Sequence, residues 1–169
     1  MKKIIILISG NGSNLQAIID SCKSGNIDGE IVSVISNKEN AYGIQRAIEA
    51  GITTKIISDD SFDSREEFDK TLLSYLMEIE ADLIVLAGFM KILSKKTADH
   101  FYGKIINIHP SLLPKYPGLN THSKVVKNQD IFHGVTIHYV SSELDAGPII
   151  AQGRIDVNTH ADIEELINR

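Results

Sequence analysis

Asn107 and His109 stand two residues apart in the apolar run Ile105-Ile106-Asn107-Ile108-His109, and Pro110 follows at once. Side chains alternate faces in an extended strand, so the amide and the imidazole point one way while Ile106 and Ile108 pack behind them. Proline brings no N–H to a sheet ladder. The strand is therefore expected to stop there, with His109 at its open carboxyl end. A donor amide beside a titratable imidazole suits chemistry at a carbonyl carbon, where negative charge gathers on oxygen. The same pair can also do no more than satisfy backbone groups at a strand end.

Asp145 is the acidic residue best placed to serve such a pair. It lies in Leu144-Asp145-Ala146-Gly147-Pro148, a tight loop bounded by glycine and proline rather than a solvated helix face. A carboxylate folded against His109 would hold the imidazole positive and ready to donate a proton near neutral pH. Taken alone, a loop Asp of this kind equally makes its own turn hydrogen bonds.

A second candidate is Ser9-Gly10-Asn11-Gly12-Ser13-Asn14, which joins the apolar run 3–8 to an amphipathic run over 15–23. A glycine turn feeding a helix N-terminus offers backbone N–H groups and a positive dipole end to an anion. A dinucleotide fingerprint would need glycine where Leu15 stands, and an acidic residue at the end of the second strand, where Ser36 and Asn37 stand. No Gly-Lys-Ser/Thr follows, so it is not a Walker loop. What remains is a site for one phosphate, with Ser13 and Asn14 adding side-chain donors. No metal site is expected: HExxH and cysteine pairs are missing, and His133 and His138 fall on opposite faces of a strand-like stretch.

The elements that must position these groups read as β/α alternation. Strands are expected over 3–8, 30–36, 53–57, 82–87 and 105–109. Helices are expected over 15–23, 41–50 and 63–79, with another capped by Ser94 and running to about residue 101. The pattern predicts a largely parallel sheet with helices on both faces. After the proline-rich loop 110–118 it changes: a short helix over 121–128, a strand over 133–140 with one wetter face, a tight loop, and a last strand over 149–157. The expected fold class is α/β, Rossmann-like, mostly parallel, with a mixed C-terminal extension of the sheet.

With 169 residues, 43% hydrophobic and 23% charged, the chain has the size and make-up of one globular domain. A net charge of −5 with no Lys/Arg block argues against nucleic acid as the main partner. The apolar start is too short to span a membrane and lacks a small-residue cleavage site, so it reads as a buried strand. One cysteine, Cys22, leaves no intrachain disulfide, and its spacing from Leu15, Ile18 and Ile19 puts it on the apolar face of a helix. A cytoplasmic location is expected.

Three motifs in order, Gly10-Asn11-Gly12-Ser13-Asn14, Asn107-x-His109-Pro110-Ser111-Leu112-Leu113-Pro114 and Leu144-Asp145-x-Gly147-Pro148, closely resemble the phosphoribosylglycinamide formyltransferase family. The likeness runs from Ile4 to about Val157. It implies transfer of a formyl group from 10-formyltetrahydrofolate to the primary amine of 5′-phosphoribosylglycinamide, in purine synthesis and without a metal. It further implies that Gly12, Ser13 and Asn14 hold the substrate phosphate, and that Arg65 is a folate-side arginine. The backbone of Met90, Lys91, Ile92 and Leu93 would meet the pterin, the 141–145 region would close over it, and Asn107, His109 and Asp145 would form the catalytic trio. Small-molecule substrates, no membrane partner and a monomer or homodimer are implied. The family normally continues past position 169 and adds a substrate contact, whereas this sequence stops at Arg169 within a helix expected to begin near Asp162, so the expectation is a single domain over 1–169 whose end is either natural or a truncation. Rival readings share parts of the pattern: methionyl-tRNA formyltransferase, which adds an RNA-binding domain, formyltetrahydrofolate hydrolase, which adds an N-terminal domain, and an inactive folate- or nucleotide-binding module.

Overall fold

A computed structural model of the chain describes residues 1–157 and 163–168. The strands are β1 (Lys2–Ile8), β2 (Gly29–Ser36), β3 (Thr54–Ile56), β4 (Leu83–Leu86), β5 (Ile105–His109), β6 (Phe132–Tyr139) and β7 (Ile149–Asp156). The helices are α1 (Ser13–Lys23), α2 (Tyr42–Glu49), α3 (Arg65–Ile79), α4 (Lys95–His100), α5 (Thr121–Lys127) and α6 (Ile163–Asn168). The expected elements are present, with ends moved by one or two residues. The helix anticipated from near Asp162 is α6; Asp162 itself lies outside the described residues.

All seven strands form one sheet in the order β3-β2-β1-β4-β5-β6-β7. The first five are parallel, and β6 and β7 are antiparallel to their neighbours. The chain winds outward from β1 to β3 and then returns to lay β4 on the other side of β1. At such a reversal the loops after β1 and β4 part, and the crevice beyond their carboxyl ends is where open α/β sheets bind ligands.

β1 shows why the sheet is covered on both sides. Its odd residues Ile5 and Leu7 pack with Phe68, Leu72 and Leu76 of α3, while Ile4, Ile6 and Ile8 pack with Leu15 and Ile19 of α1 and Ile44 and Ala47 of α2. A strand apolar on both faces can sit only in the middle of such a sandwich. Ser64, rather than Asp63, starts α3, its hydroxyl accepting the Glu67 N–H at 3.2 Å. Cys22 is half-buried against the α1/α2 core instead of fully inside it.

One expectation is overturned on β6. Its polar face was taken as the wetter one, yet Thr136 and His138 on that face are buried, as is His133 on the other. The reason is the loop 110–118, which folds back over that face. Thr136 Oγ1 donates to the Ser111 carbonyl at 2.6 Å and accepts the Leu113 N–H at 3.0 Å and the Gln152 amide at 2.8 Å. Polar side chains are needed there because the loop's own backbone groups must be satisfied away from water.

Candidate active site

Strand β5 ends at His109, as Pro110 requires, and the next residues turn back rather than continue the ladder. Antiparallel pairing sets Asn107 opposite His138 and His109 opposite Thr136. The short loop between β6 and β7 brings Asp145 onto the same end, with Asp145 itself in the left-handed conformation at φ 50°. The three residues singled out in the sequence therefore meet.

His109 is 5% exposed. Its Nε2 lies 2.9 Å from the Tyr116 carbonyl and its Nδ1 lies 3.4 Å from Asp145 Oδ2. A carbonyl and a carboxylate are both acceptors, so the ring satisfies both only when both nitrogens carry protons. The same Asp145 Oδ2 accepts the Gly118 N–H at 2.8 Å. Asp145 Oδ1 lies 3.4 Å from Asn107 Nδ2 and 3.6 Å from Nε2 of His138.

Burial pushes the Asp145 carboxyl up, but hydrogen bonds from His138 and Gly118, together with the charges of His109 and His138, outweigh it and hold the group below the usual Asp value. For His138 burial works against the charged ring. The hydrogen bond to Asp145, the Tyr139 carbonyl and the Asp145 charge reverse that, and the ring sits above the usual His value.

These groups line a cavity of about 680 Å³ at the carboxyl end of the sheet. Its walls include Met90, Lys91, Ile92 and Leu93 after β4, Asn107 and His109 from β5, and Ser141, Glu143, Leu144 and Asp145. The volume is that of a pocket for a drug-sized organic molecule. Lys91 pairs its ammonium with Asp59, and this pairing is the leading cause that depresses the Asp59 carboxyl to about 2. Arg65 does not line the cavity. Its guanidinium donates to the Ile92 carbonyl at 2.9 Å and so ties down the 90–93 wall.

Gly12, Ser13 and Asn14 lie outside the cavity wall, next to it. Helix α1 starts at Ser13, earlier than the apolar pattern suggests, so Ser13 and Asn14 belong to its first turn. Gly12 adopts φ 76°, the first turn holds no acidic residue, and no side chain caps it. The first-turn amides are thus left without a side-chain cap. Gly12 packs so closely on α2 that an added Cβ would come 2.7 Å from Gly43 Cα. Arg46 secures the turn from α2, donating to the Asn11 carbonyl at 2.9 Å, to Asn11 Oδ1 at 3.0 Å and to Gln16 at 3.3 Å. Turn and cavity are joined by Ser9, whose hydroxyl accepts the Met90 N–H at 2.7 Å.

Sequence reasoning missed His138, Arg46 and the Tyr116 carbonyl. The only signal for His138 lies in the β5/β6 register, which a single sequence does not carry. Arg46 sits on an ordinary amphipathic helix, and a backbone carbonyl has no sequence signature. Among the described residues no group of three or more His, Cys, Asp or Glu is placed to hold a metal ion, and no helix is long and apolar enough to cross a membrane.

The chain resembles known proteins along nearly its whole length. It is 51% identical over 154 residues to phosphoribosylglycinamide formyltransferase of Escherichia coli (strain K12), covering 91% of this chain and 73% of that one. It is 49% identical over 166 residues to the enzyme of the same name from Haemophilus influenzae, covering 98% and 78%. Among solved structures, phosphoribosylglycinamide formyltransferase from Coxiella burnetii superposes with a TM-score of 0.93 at 48% identity over 99% of this chain and 78% of that one. Glycinamide ribonucleotide transformylase 1 from Symbiobacterium toebii superposes with a TM-score of 0.96 at 39% identity over 99% and 79%. The formyl transferase family model matches residues 2–169, and with the sheet, the cavity and these relatives agreeing, the chain belongs to the formyl transferase family.

Proposed function

We propose that this chain is a phosphoribosylglycinamide formyltransferase of purine biosynthesis, moving a formyl group from 10-formyltetrahydrofolate to the amine of 5′-phosphoribosylglycinamide. The observation that carries the reading is the meeting of Asn107, His109 and Asp145 in the wall of a cavity of about 680 Å³, with the uncapped glycine turn of α1 as a separate feature. One pocket and one phosphate site suit a reaction that joins a folded organic donor to a phosphorylated amine.

The formyl donor supplies an activated amide carbon; the protein's own residues do the rest. Met90 to Leu93 and the 141–145 segment hold the donor, and the α1 N-terminus holds the phosphate. A C–N bond forms between the substrate amine and the formyl carbon, the bond to the folate nitrogen breaks, and a proton passes from the first nitrogen to the second. Negative charge gathers on the formyl oxygen meanwhile. His109 and the Asn107 amide stabilise that charge, a contribution of about 3–4 kcal/mol for a well-placed donor. Asp145, 3.4 Å from His109 Nδ1, fixes the plane of the ring. His109 reaches the reacting oxygen by giving up the Tyr116 carbonyl, so the 110–118 loop must yield when substrate enters.

Incubating the purified chain with both substrates and following formyl transfer tests the reading. Formylated ribonucleotide is the expected product. Release of free formate would point to a hydrolase, and binding of folate without turnover to an inactive module.

A further inference from the structure

We propose that His138 is a positioning residue that sets which end of the Asn107 carboxamide faces the cavity. The inference rests on the reading of Asn107 as a donor to the formyl oxygen.

His138 is 2% exposed and plays no part in the trio. Its Nδ1 lies 2.9 Å from the Tyr139 carbonyl, which can only accept, so that nitrogen carries a proton in every charge state. All freedom therefore resides at Nε2. That atom lies 3.2 Å from Asn107 Nδ2 and 3.6 Å from Asp145 Oδ1. In the neutral ring Nε2 has a lone pair, accepts from the amide, and leaves the Asn107 oxygen turned to the cavity. That orientation repels a developing negative charge.

In the cationic ring Nε2 carries a proton, and donor would face donor. Rotating the carboxamide by half a turn removes the conflict with His138; it exchanges the 3.4 Å contact of Asn107 Nδ2 with Asp145 Oδ1 for an oxygen–oxygen approach, which the His138 proton lying 3.6 Å from Asp145 Oδ1 must offset. Oδ1 then accepts from His138 and the NH₂ group turns to the cavity, where it can stabilise the formyl oxygen. Among the described residues the titratable groups bearing on His138 are Asp145, from the β6–β7 loop, and His109, from β5, with ring centroids 6.5 Å apart. Asp145 favours the cation, whereas a positive His109 and burial oppose it. The carboxylate prevails, since His138 is the ring raised above its usual value.

The test compares pH profiles of kcat for the full chain, His138→Gln, Asn107→Ala and the double variant. Glutamine keeps a polar group at the position but does not titrate. His138→Gln is expected to lower kcat tenfold or more at pH 7 with both KM values within about threefold, and to make the alkaline fall of kcat shallower by one proton. In the Asn107→Ala background the same change should alter kcat less than twofold, because the group being positioned is gone. Losses that multiply independently, or an unchanged alkaline fall, would overturn the inference while leaving the trio intact. Near-wild-type turnover of Asn107→Ala would instead bring down the reading of the site, and this inference with it. Should His138→Gln fail to fold, nitrogen-15 NMR of the unmodified chain decides: the Asn107 side-chain signals must shift at the pH where His138 Nε2 titrates, and independent titration rejects the coupling.

Discussion

Asp145 Oδ2 lies 3.4 Å from His109 Nδ1, with both side chains at least nine-tenths buried. In that setting the carboxylate has little water to share its charge with, and its attraction for the ring beside it is weakly screened. Asp145→Asn keeps the shape and removes the charge, and His109→Ala removes the donor. Each is expected to lower kcat by about 10²–10³-fold, the loss seen when a single preorganised donor is deleted. Steady-state formyl transfer with circular dichroism as a fold control checks this. A rate within tenfold of the parent chain would exclude the assigned roles.

The glycine turn has no room for a side chain. Gly12→Ala would place a Cβ 2.7 Å from Gly43 Cα and force alanine into the left-handed region at φ 76°. The conformational cost alone is about 1–2 kcal/mol. Thermal unfolding should show that loss, and KM for the ribonucleotide should rise while KM for the folate stays close to the parent value. A rise confined to the folate KM would count against a phosphate site here.

Arg46→Ala removes three hydrogen bonds that hold Asn11 and Gln16 around the same turn. Since the guanidinium touches the turn and lies outside the cavity wall, the expected result is a KM effect of about tenfold on the phosphorylated substrate with kcat nearly unchanged. Competition by inorganic phosphate should weaken in parallel. An equal fall in kcat with no KM change would place Arg46 in the chemistry instead.

His133 Nε2 and His122 Nδ1 lie 2.8 Å apart and join β6 to α5. Burial lowers both below the usual His value, and for His133 the neighbouring His122 adds to it. The unfolded chain thus binds protons before the folded one does, so this pair favours folding above about pH 6.5 and loses that advantage as pH falls. His138, shifted the other way, favours folding below that pH and loses its contribution as pH rises through its folded value. In thermal melts between pH 7 and 5, His122→Gln is expected to flatten the acid-side loss, by at most about 1.4 kcal/mol per pH unit for each proton no longer taken up. An unchanged slope would show that the pair does not control it.

Much of this could be read from residue order. Apolar runs located the parallel strands, alternation located β6, and the helical spacing of Phe68, Leu72 and Leu76 marked the buried face of α3. Pro110 announced where β5 ends. What stayed hidden depends on register and on loops folding over strands. The alternation in β6 gives its period but not which face is covered, so its polar side passed for the wet one. His138 looked like one more polar position until antiparallel pairing set it against Asn107. Backbone acceptors such as the Tyr116 carbonyl leave no trace in composition.

Ser9 donates its hydroxyl hydrogen to Asn37 at 2.5 Å and receives the Met90 N–H at 2.7 Å. One small side chain is thereby a shared pin: on one side the chain runs into the glycine turn, on the other it fastens the cavity wall at Met90. Neither compartment can shift without tugging the other. Filling one should therefore sharpen affinity in its neighbour, and Ser9→Ala should leave the two substrates binding as strangers.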